Sequence, residues 1–287
     1  MKITAKSPAK INLFLEITGK NANNYHLIDS LMAFINIYDK VEVEKININL
    51  QKNIILEING EQNLEFLGKK EDNILIKTAN LMAQKFNFTP NIKIKLTKNI
   101  PIAAGLGGGS SNAATLIEIL IKLYDLKISS QELQEIALEI GSDVPFCLHK
   151  KMAIVKGIGE IIADINIDQP ELYLLIINPK IAIDTGKIFQ NFQFTEKSKQ
   201  NKVENDLINM IKERENHLQP IAEEFCPQIT DILSNLRLQR NIISAKLSGS
   251  GATCFGVFNQ KQDLNIAFDK LKNIFPDFYI KKSKLLT

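Results

Sequence analysis

IPIAAGLGGGSSNAA, from Ile100 to Ala114, is a glycine-dense run that closes one regular pattern and opens another. Upstream, Ile92, Ile94 and Leu96 alternate with Lys93, Lys95 and Thr97, the period-two signature of a half-buried strand. Pro101 has no backbone donor and ends that strand. Downstream, Ala113, Ala114, Leu116, Ile117, Leu120 and Ile121 recur at helical spacing. This predicts a helix that begins after Gly109, with Ser110 or Ser111 at its N-cap. Gly105, Gly107, Gly108 and Gly109 carry no Cβ and reach positive φ, so successive N–H groups can turn toward an anion. The open N–H groups and dipole of the first helical turn add partial positive charge at the same place. A polyphosphate cradle is the reading. Gly105-Leu106-Gly107 opens like a dinucleotide fingerprint, but Ser110 stands where the third glycine belongs, and Ser110-Ser111 stand where a Walker loop carries lysine. A tight turn packed under a helix would need fewer glycines and no paired serines.

Composition bounds the rest. With 287 residues, 45% hydrophobic and 23% charged, the chain can bury one large core or two modest ones. Two domains are expected, 1–160 and 161–287, with Gly157-Ile158-Gly159-Glu160 at the junction. The net charge of +3 is spread over many lysines, which argues against nucleic acid and suits a small anionic substrate. Arginine occurs at 214, 237 and 240 alone, so a phosphate site ahead of these must use lysine, backbone N–H groups and metal. Cys147, Cys226 and Cys254 are odd in number and far apart, which predicts buried thiols rather than a disulfide framework or zinc site. No apolar run approaches the roughly 18 residues that span a bilayer. Lys2 leads into strand-like sequence without a targeting segment, so a cytoplasmic protein is expected.

Before the glycine run, Lys2 to Lys6 reads as a short strand, and Ser7 to Leu15 as a bend at Pro8 entering a second one. Lys10 and Asn12 lie two apart, so an extended backbone puts both on one face. The exposed side of an edge strand is their ordinary setting. Gly19 to Asn24 is turn-rich, and Tyr25-His26 follows it. Asp29 to Asp39, Val41 to Glu44 and Ile54 to Ile58 read as strands of a mainly antiparallel sheet. Asn47 to Lys52 reads as a connection and Gly60 to Asp72 as a polar excursion, before a helix over 73–86 with Leu75, Ala79, Leu81 and Met82 inward. Beyond the glycine run, Ser129 and Glu132 form a capping box for a helix that ends at Gly141. Gly141 to Phe146 reads as a loop, because Pro145 opposes helix there, and its Asp143 could merely cap or turn the chain.

The last part reads as a strand over 172–178, a helical tract over 205–238 broken near Pro220 and Pro227, and strands over 242–247 and 254–258. A helix near 264–275 and a strand over 277–280 complete it. That order is β-α-β-β-α-β, the ferredoxin-like arrangement. Ser248-Gly249-Ser250-Gly251 joins the middle strands as a second glycine loop, suited to close packing against another loop or a phosphate.

PAKINLFL, PIAAGLGGGSSNAA and LSGSGA, in that order, resemble the three motifs of the GHMP kinases. Tyr25-His26, GSDVPF at 141–146, GIGE at 157–160, and Asn178-Pro179 followed by Thr185 and Ile188-Phe189 are similar to the branch that phosphorylates a CDP-linked branched tetritol in the non-mevalonate isoprenoid route. The likeness spans nearly the whole chain. It implies an α+β, two-domain GHMP kinase fold, with a ribosomal S5 domain 2-like N-terminal domain and a ferredoxin-like C-terminal domain. It also implies transfer of the γ-phosphoryl group of ATP, with Mg2+, to the 2-hydroxyl of the CDP-linked substrate. Lys10 and Asp143 would be the catalytic pair, with Asn12 beside them. Pro101, Ala103, Ala104, Gly105, Leu106, Gly107, Gly108, Gly109, Ser110 and Ser111 would wrap the ATP phosphates. Tyr25, His26 and Phe189 would hold the cytidine. No nucleic acid or membrane partner is implied, and a monomer or homodimer would suffice; metal ligands are not identified. Two departures stand out. Asn23-Asn24 replaces the usual Asp-Gly before Tyr-His, which Asn tolerates because it enters the left-handed region. Ile208, in Asn205-Asp206-Leu207-Ile208, replaces the usual glutamate.

The residues suit this chemistry without the family name. A loose phosphoryl-transfer transition state needs positioning and charge neutralisation more than a strong base. Asp143 would orient or accept the hydroxyl proton, and Lys10 would keep Asp143 ionised. Rival readings are another GHMP kinase with no nucleobase to hold, a nucleic-acid module with a clustered basic face, and a silent nucleotide sensor.

Overall fold

The computed structural model describes residues 1–46, 54–60, 72–194 and 206–286. The connection expected over 47–52, most of the polar stretch over 60–72, and Asn205 lie outside the described residues. Two compact units divide the chain, and each is discontinuous in sequence. The first comprises Met1–Ala9, Ile37–Ile102 and Gly107–Lys150; the second comprises Lys10–Asn36, Ala103–Leu106 and Lys151–Thr287.

In the first unit, the end of β2 (His26–Lys45) pairs antiparallel with β4 (Ile92–Lys98), Val43 opposite Ile94, and β3 (Ile54–Gly60) pairs parallel with β4. Ile92, Ile94 and Leu96 are buried as their alternation predicts. Among the described residues, α1 (Ile74–Lys85), α2 (Gly108–Tyr124), α3 (Ser130–Ile140) and α4 (Val144–His149) accompany the sheet. Asn73 caps α1 by accepting from the Leu75 N–H, and Ser129 caps α3 by accepting from the Glu132 N–H. α1 buries Leu75, Ala79 and Met82, while Leu81 is half-buried. The expected loop at 141–146 is corrected. Pro145 opens α4 instead, because a residue in the first helical turn needs no N–H for the helix ladder.

The second unit contains β7 (Tyr173–Asn178), β8 (Ile242–Leu247), β9 (Cys254–Phe258) and β10 (Tyr279–Leu286), in spatial order β10-β7-β9-β8 with every pairing antiparallel. This is the ferredoxin-like order. α5 (Thr185–Gln190), α6 (Leu207–Glu213), α7 (Gln219–Phe225) and α8 (Gln228–Arg237) lie between β7 and β8 in the chain, and α9 (Lys261–Ile274) precedes β10. Ile229, Ile232, Leu233 and Leu236 of α8 and Leu264, Ala267 and Leu271 of α9 are buried at helical spacing, in one core with Leu175, Ile177, Leu247 and Phe258. β5 (Ala153–Gly157) and β6 (Ile161–Asp164) form a hairpin whose turn is the GIGE segment, with Gly157 and Gly159 at φ of 71° and 120°.

Two strand expectations need correction. β1 runs unbroken over Lys2–Lys20, and β2 is one strand rather than two. Pro8 removes one donor without breaking the extended backbone, whose φ proline already satisfies. α5 escapes the helical pattern because it is short; Asp184 starts it by accepting from the N–H groups of Gly186 and Lys187. No helix among the described residues is long and apolar enough to cross a membrane.

Candidate active site

In the first unit, the glycine run ends in a helix start with no side-chain cap. Gly107 adopts φ 61° and α2 begins at Gly108, so Ser110 and Ser111 fall inside the first turn rather than at the N-cap. The expected serine cap is therefore corrected: a left-handed Gly107 turns the chain into the helix earlier than the serines could. Ser111 is buried and its hydroxyl accepts from Ser7 Oγ at 2.9 Å. Gly109 is exposed, and a Cβ built there meets nothing nearer than Ile74 Cγ2 at 3.9 Å. The Ser111 N–H donates to Gly107 O at 2.9 Å, and the N–H groups of Gly108, Gly109 and Ser110 ahead of it come before the helix ladder and have no side-chain cap.

A buried carboxylate sits at the base of this turn. Asp39 accepts from the Lys98 ammonium, from the N–H groups of Asn99 and Ile100 at 2.8 Å each, and from Asn112 Nδ2 at 2.9 Å. It thus ties the end of β4 to the second turn of α2. Burial holds the Lys98 ammonium below the usual lysine range, with the Asp39 charge pulling the other way. A Cβ added at Gly108 would stand 2.9 Å from Lys98 Nζ and 3.0 Å from Ile100 Cγ2, so it would crowd the lysine held on Asp39. Asp143 occupies the residue before α4, is partly exposed, and makes no capping bond with its side chain. Of the two local roles considered for it, capping is absent, whereas the turn is present: Ser142 and Asp143 lie in it, and the Val144 N–H donates to Gly141 O at 3.0 Å.

In the second unit, Lys10 and Asn12 share a face as the spacing predicts, but that face is interior. Lys10 is 4% exposed and Asn12 0%. Lys10 Nζ donates to Asn12 Oδ1 at 2.8 Å, and Asn12 Nδ2 donates to Ser30 Oγ at 2.9 Å. The Lys10 N–H donates to Leu106 O at 2.9 Å, so the lysine is fastened to the glycine run through its backbone. The close packing expected of the second glycine loop is present. Ser248 Oγ donates to Gly105 O at 2.8 Å and accepts from the Asn12 N–H at 3.3 Å, and the Thr253 N–H donates to Ala104 O at 3.2 Å. Gly105, at φ 74°, would put an added Cβ 2.1 Å from Ser248 O, so only glycine fits this approach. Ser250 Oγ bonds Thr185 Oγ1 at 2.8 Å, and Asn216 Nδ2 donates to Leu247 O and Gly249 O at 2.8 Å each. Among the predicted residues, Lys10, Asn12, Ala103 to Leu106 and Ser248 to Gly251 thus group together in this unit. Pro101, Gly107 to Ser111 and Asp143 belong to the first.

The cytidine candidates also lie in the second unit. Asn24 takes φ 65°, the left-handed conformation for which asparagine can stand in for glycine, and Asn21 Oδ1 accepts from the Tyr25 N–H at 2.9 Å. Tyr25 is 63% exposed. His26 contacts Phe189 at 5.5 Å between ring centroids, Phe192 at 5.8 Å edge-on and Phe194 at 6.3 Å. Its Nε2 is buried with no hydrogen-bond partner among the described residues. Burial, then Lys20, hold this imidazole below its ordinary value, which favours its neutral form. Phe192 also stacks at 4° on His217.

Sequence reasoning missed Asp39, Ser30, Asn216, Phe192 and Phe194. Asp39 had one visible signal, a charge in register with Ile37, Val41 and Val43 on the inward face of the alternation. The other residues carried none. Among the described residues no cluster of three or more His, Cys, Asp or Glu could hold a metal ion.

One unit carries a glycine turn that leads into an uncapped helix, and the other carries a ferredoxin-like strand order. Residues 73–151 match the family described as GHMP kinases N terminal domain, and residues 202–277 match GHMP kinases C terminal. The fold is shared with a crystal structure of 4-(cytidine 5'-diphospho)-2C-methyl-D-erythritol kinase, at a TM-score of 0.80 and 23% identity over 99% of this chain and 100% of that one. Homoserine kinase from Cytophaga hutchinsonii shares it at a TM-score of 0.75 and 15% identity, over 100% and 95%. In sequence, a 4-diphosphocytidyl-2-C-methyl-D-erythritol kinase from Ehrlichia ruminantium is 37% identical over 99% of both chains. One from Clostridium botulinum is 33% identical over 97% of this chain and 99% of its own. The chain belongs to the family of 4-diphosphocytidyl-2-C-methyl-D-erythritol kinases.

Proposed function

We infer that this chain transfers the γ-phosphoryl group of ATP to the 2-hydroxyl of 4-diphosphocytidyl-2-C-methyl-D-erythritol, a step of non-mevalonate isoprenoid synthesis. The observation that carries the kinase reading is the α2 N-terminus, where first-turn N–H groups follow a left-handed glycine and no side chain caps them. Gly107 to Ser111 would hold the triphosphate there. Pro101 and Ala103 to Leu106 would shape its approach. Mg2+ would arrive with the nucleotide and neutralise charge on the phosphates.

Asp143 is assigned to the substrate hydroxyl, where a carboxylate orients the O–H and takes its proton as the new bond to the γ-phosphorus forms and the bond to the β-phosphate oxygen breaks, releasing ADP. Lys10 is assigned to charge developing on the reacting oxygens, an ammonium held in place by Asn12. Asn12 acts on the substrate side through that lysine. His26 offers an unpartnered ring nitrogen to a polar edge of cytosine, while Tyr25 and Phe189 supply flat surfaces for its face. The second glycine loop supports Gly105 and Asn12.

The same reading divides the chain at about residue 160; the N-terminal family match ends at 151 and the C-terminal one begins at 202. It places a monomer or homodimer in the cytoplasm, acting on a small molecule without nucleic acid. The test is consumption of Mg·ATP by the purified chain with the cytidine substrate, mevalonate and homoserine in parallel. Turnover of the cytidine substrate alone is expected. Turnover of another alcohol would keep the kinase and remove the cytidine pocket, and ATP binding without any turnover would make the chain a nucleotide sensor.

A further inference from the structure

We propose that Ser30 is a positioning residue that sets the orientation of the Asn12 amide and, through it, the Lys10 ammonium. The proposal rests on the assignment of Lys10 to the reaction given above.

The argument is one of hydrogen-bond direction. Ser30 Oγ lies 2.6 Å from the carbonyl oxygen of Phe14, which can only accept, so the single hydroxyl proton of Ser30 is committed there. Toward Asn12 the serine oxygen can then only accept. It does so from Asn12 Nδ2 at 2.9 Å. With the NH2 end of the amide fixed on Ser30, the Oδ1 end faces the other way, 2.8 Å from Lys10 Nζ, which can only donate. The reverse orientation would set amide N–H groups against an ammonium and leave the serine oxygen without its donor. The chain of bonds therefore has one consistent direction, from Lys10 to Asn12 and on to Ser30 and Phe14.

All three side chains are buried, so water does not offer a substitute partner. The two ends are independently anchored. Ser30 is held in the β2–β5 ladder opposite Val155, and the Asn12 backbone N–H donates to Ser248 Oγ. Ser30 is thus fixed as a reference point, and Asn12 transmits its position to the lysine. A small-residue filler in a sheet would do none of this, and alanine would serve as well.

The experiment compares wild type, Ser30→Ala and Ser30→Thr in the full chain, with two readouts. In turnover, Ser30→Ala should lower kcat about 10- to 100-fold, with KM for ATP and for the cytidine substrate held within about twofold. Ser30→Thr keeps the hydroxyl and should recover most of kcat. In 15N-labelled protein without substrate, the Asn12 side-chain amide should exchange slowly with water in wild type and Ser30→Thr, and rapidly in Ser30→Ala. Unchanged kcat in Ser30→Ala, or an Asn12 amide equally protected in all three, would overturn the proposal. So would a loss in Ser30→Thr as large as in Ser30→Ala, which marks packing rather than the hydroxyl. If wild type turns over no alcohol, the kinase reading fails and the amide measurement alone decides what Ser30 orients. Ser30→Cys, which fills the site with a weak donor, replaces Ser30→Ala if the alanine protein does not fold.

Discussion

The two glycine-rich segments, 107–111 and 248–251, look alike in sequence and differ in what their polar atoms do. At 107–111 the chain enters a long helix with no side-chain cap, and Gly109 opens onto space. At 248–251 the polar atoms are engaged by the protein: Ser248 by Gly105 and Asn12, Ser250 by Thr185, and the Gly249 carbonyl by Asn216. One segment opens a helix whose start has no side-chain cap, and the other holds the scaffold that carries Lys10. Glycine density alone does not mark a phosphate site; the fate of the neighbouring donors does.

The division of labour can be broken most sharply outside both loops. Lys10→Ala and Asp143→Ala should each lower kcat about 10²- to 10⁴-fold while ATP still binds, because neither belongs to the uncapped turn. Near-normal turnover in either purified variant would remove that residue from the mechanism. Gly109→Asp then separates the loops directly. The site has room for the side chain, and a carboxylate in the first helical turn should leave the melting temperature unchanged or raise it, worth about 0.3 to 1 kcal/mol. The same charge should raise KM for ATP at least about tenfold, since it competes with phosphate for the same N–H groups. An unchanged KM would show that the triphosphate lies elsewhere.

The opposite signature is expected at the second loop. Asn216→Ala leaves the carbonyls of Leu247 and Gly249 without their shared donor and should cost about 1 to 3 kcal/mol of stability, measured by denaturant unfolding. KM for ATP should not move; a large change would make that loop a nucleotide contact. Tyr25→Ala should raise KM for the cytidine substrate by about tenfold, the lower part of the 1 to 3 kcal/mol that base stacking supplies, with KM for ATP unaltered. The smallest effect is set by His217. Burial first, against the pull of Glu16 and Glu215, holds its folded-state value below the ordinary one. The unfolded chain then binds the proton more readily. His217 therefore supports folding fully above about pH 6.5 and loses that support as pH falls toward its lowered value. His217→Gln should flatten the fall of melting temperature below that pH; an identical profile would remove His217 as its source.

Strong periodic patterns made much of this architecture legible in the sequence. β4, β8 and β9 follow from alternation or short apolar runs between turns, and α3 from its Ser129 cap. Proline misled twice, at Pro8 and Pro145, because its cost depends on whether the missing N–H was needed, and neither an extended strand nor a first helical turn needed it. The pairing of Lys10 with Asn12 was legible from spacing, whereas its burial was not, since a lysine two residues from an amide reads as surface. Asp39 and Lys98 stand 59 positions apart, and Ser30 and Asn12 are joined only through strand pairing. Such long-range polar contacts leave no local pattern to read.

The most direct test of the central claim is the product itself. The account predicts that 31P NMR of wild type with Mg·ATP and 4-diphosphocytidyl-2-C-methyl-D-erythritol shows ADP forming in step with one new phosphomonoester, carried on the 2-hydroxyl. Release of inorganic phosphate with the alcohol unchanged, or a phosphomonoester at another position, would contradict it.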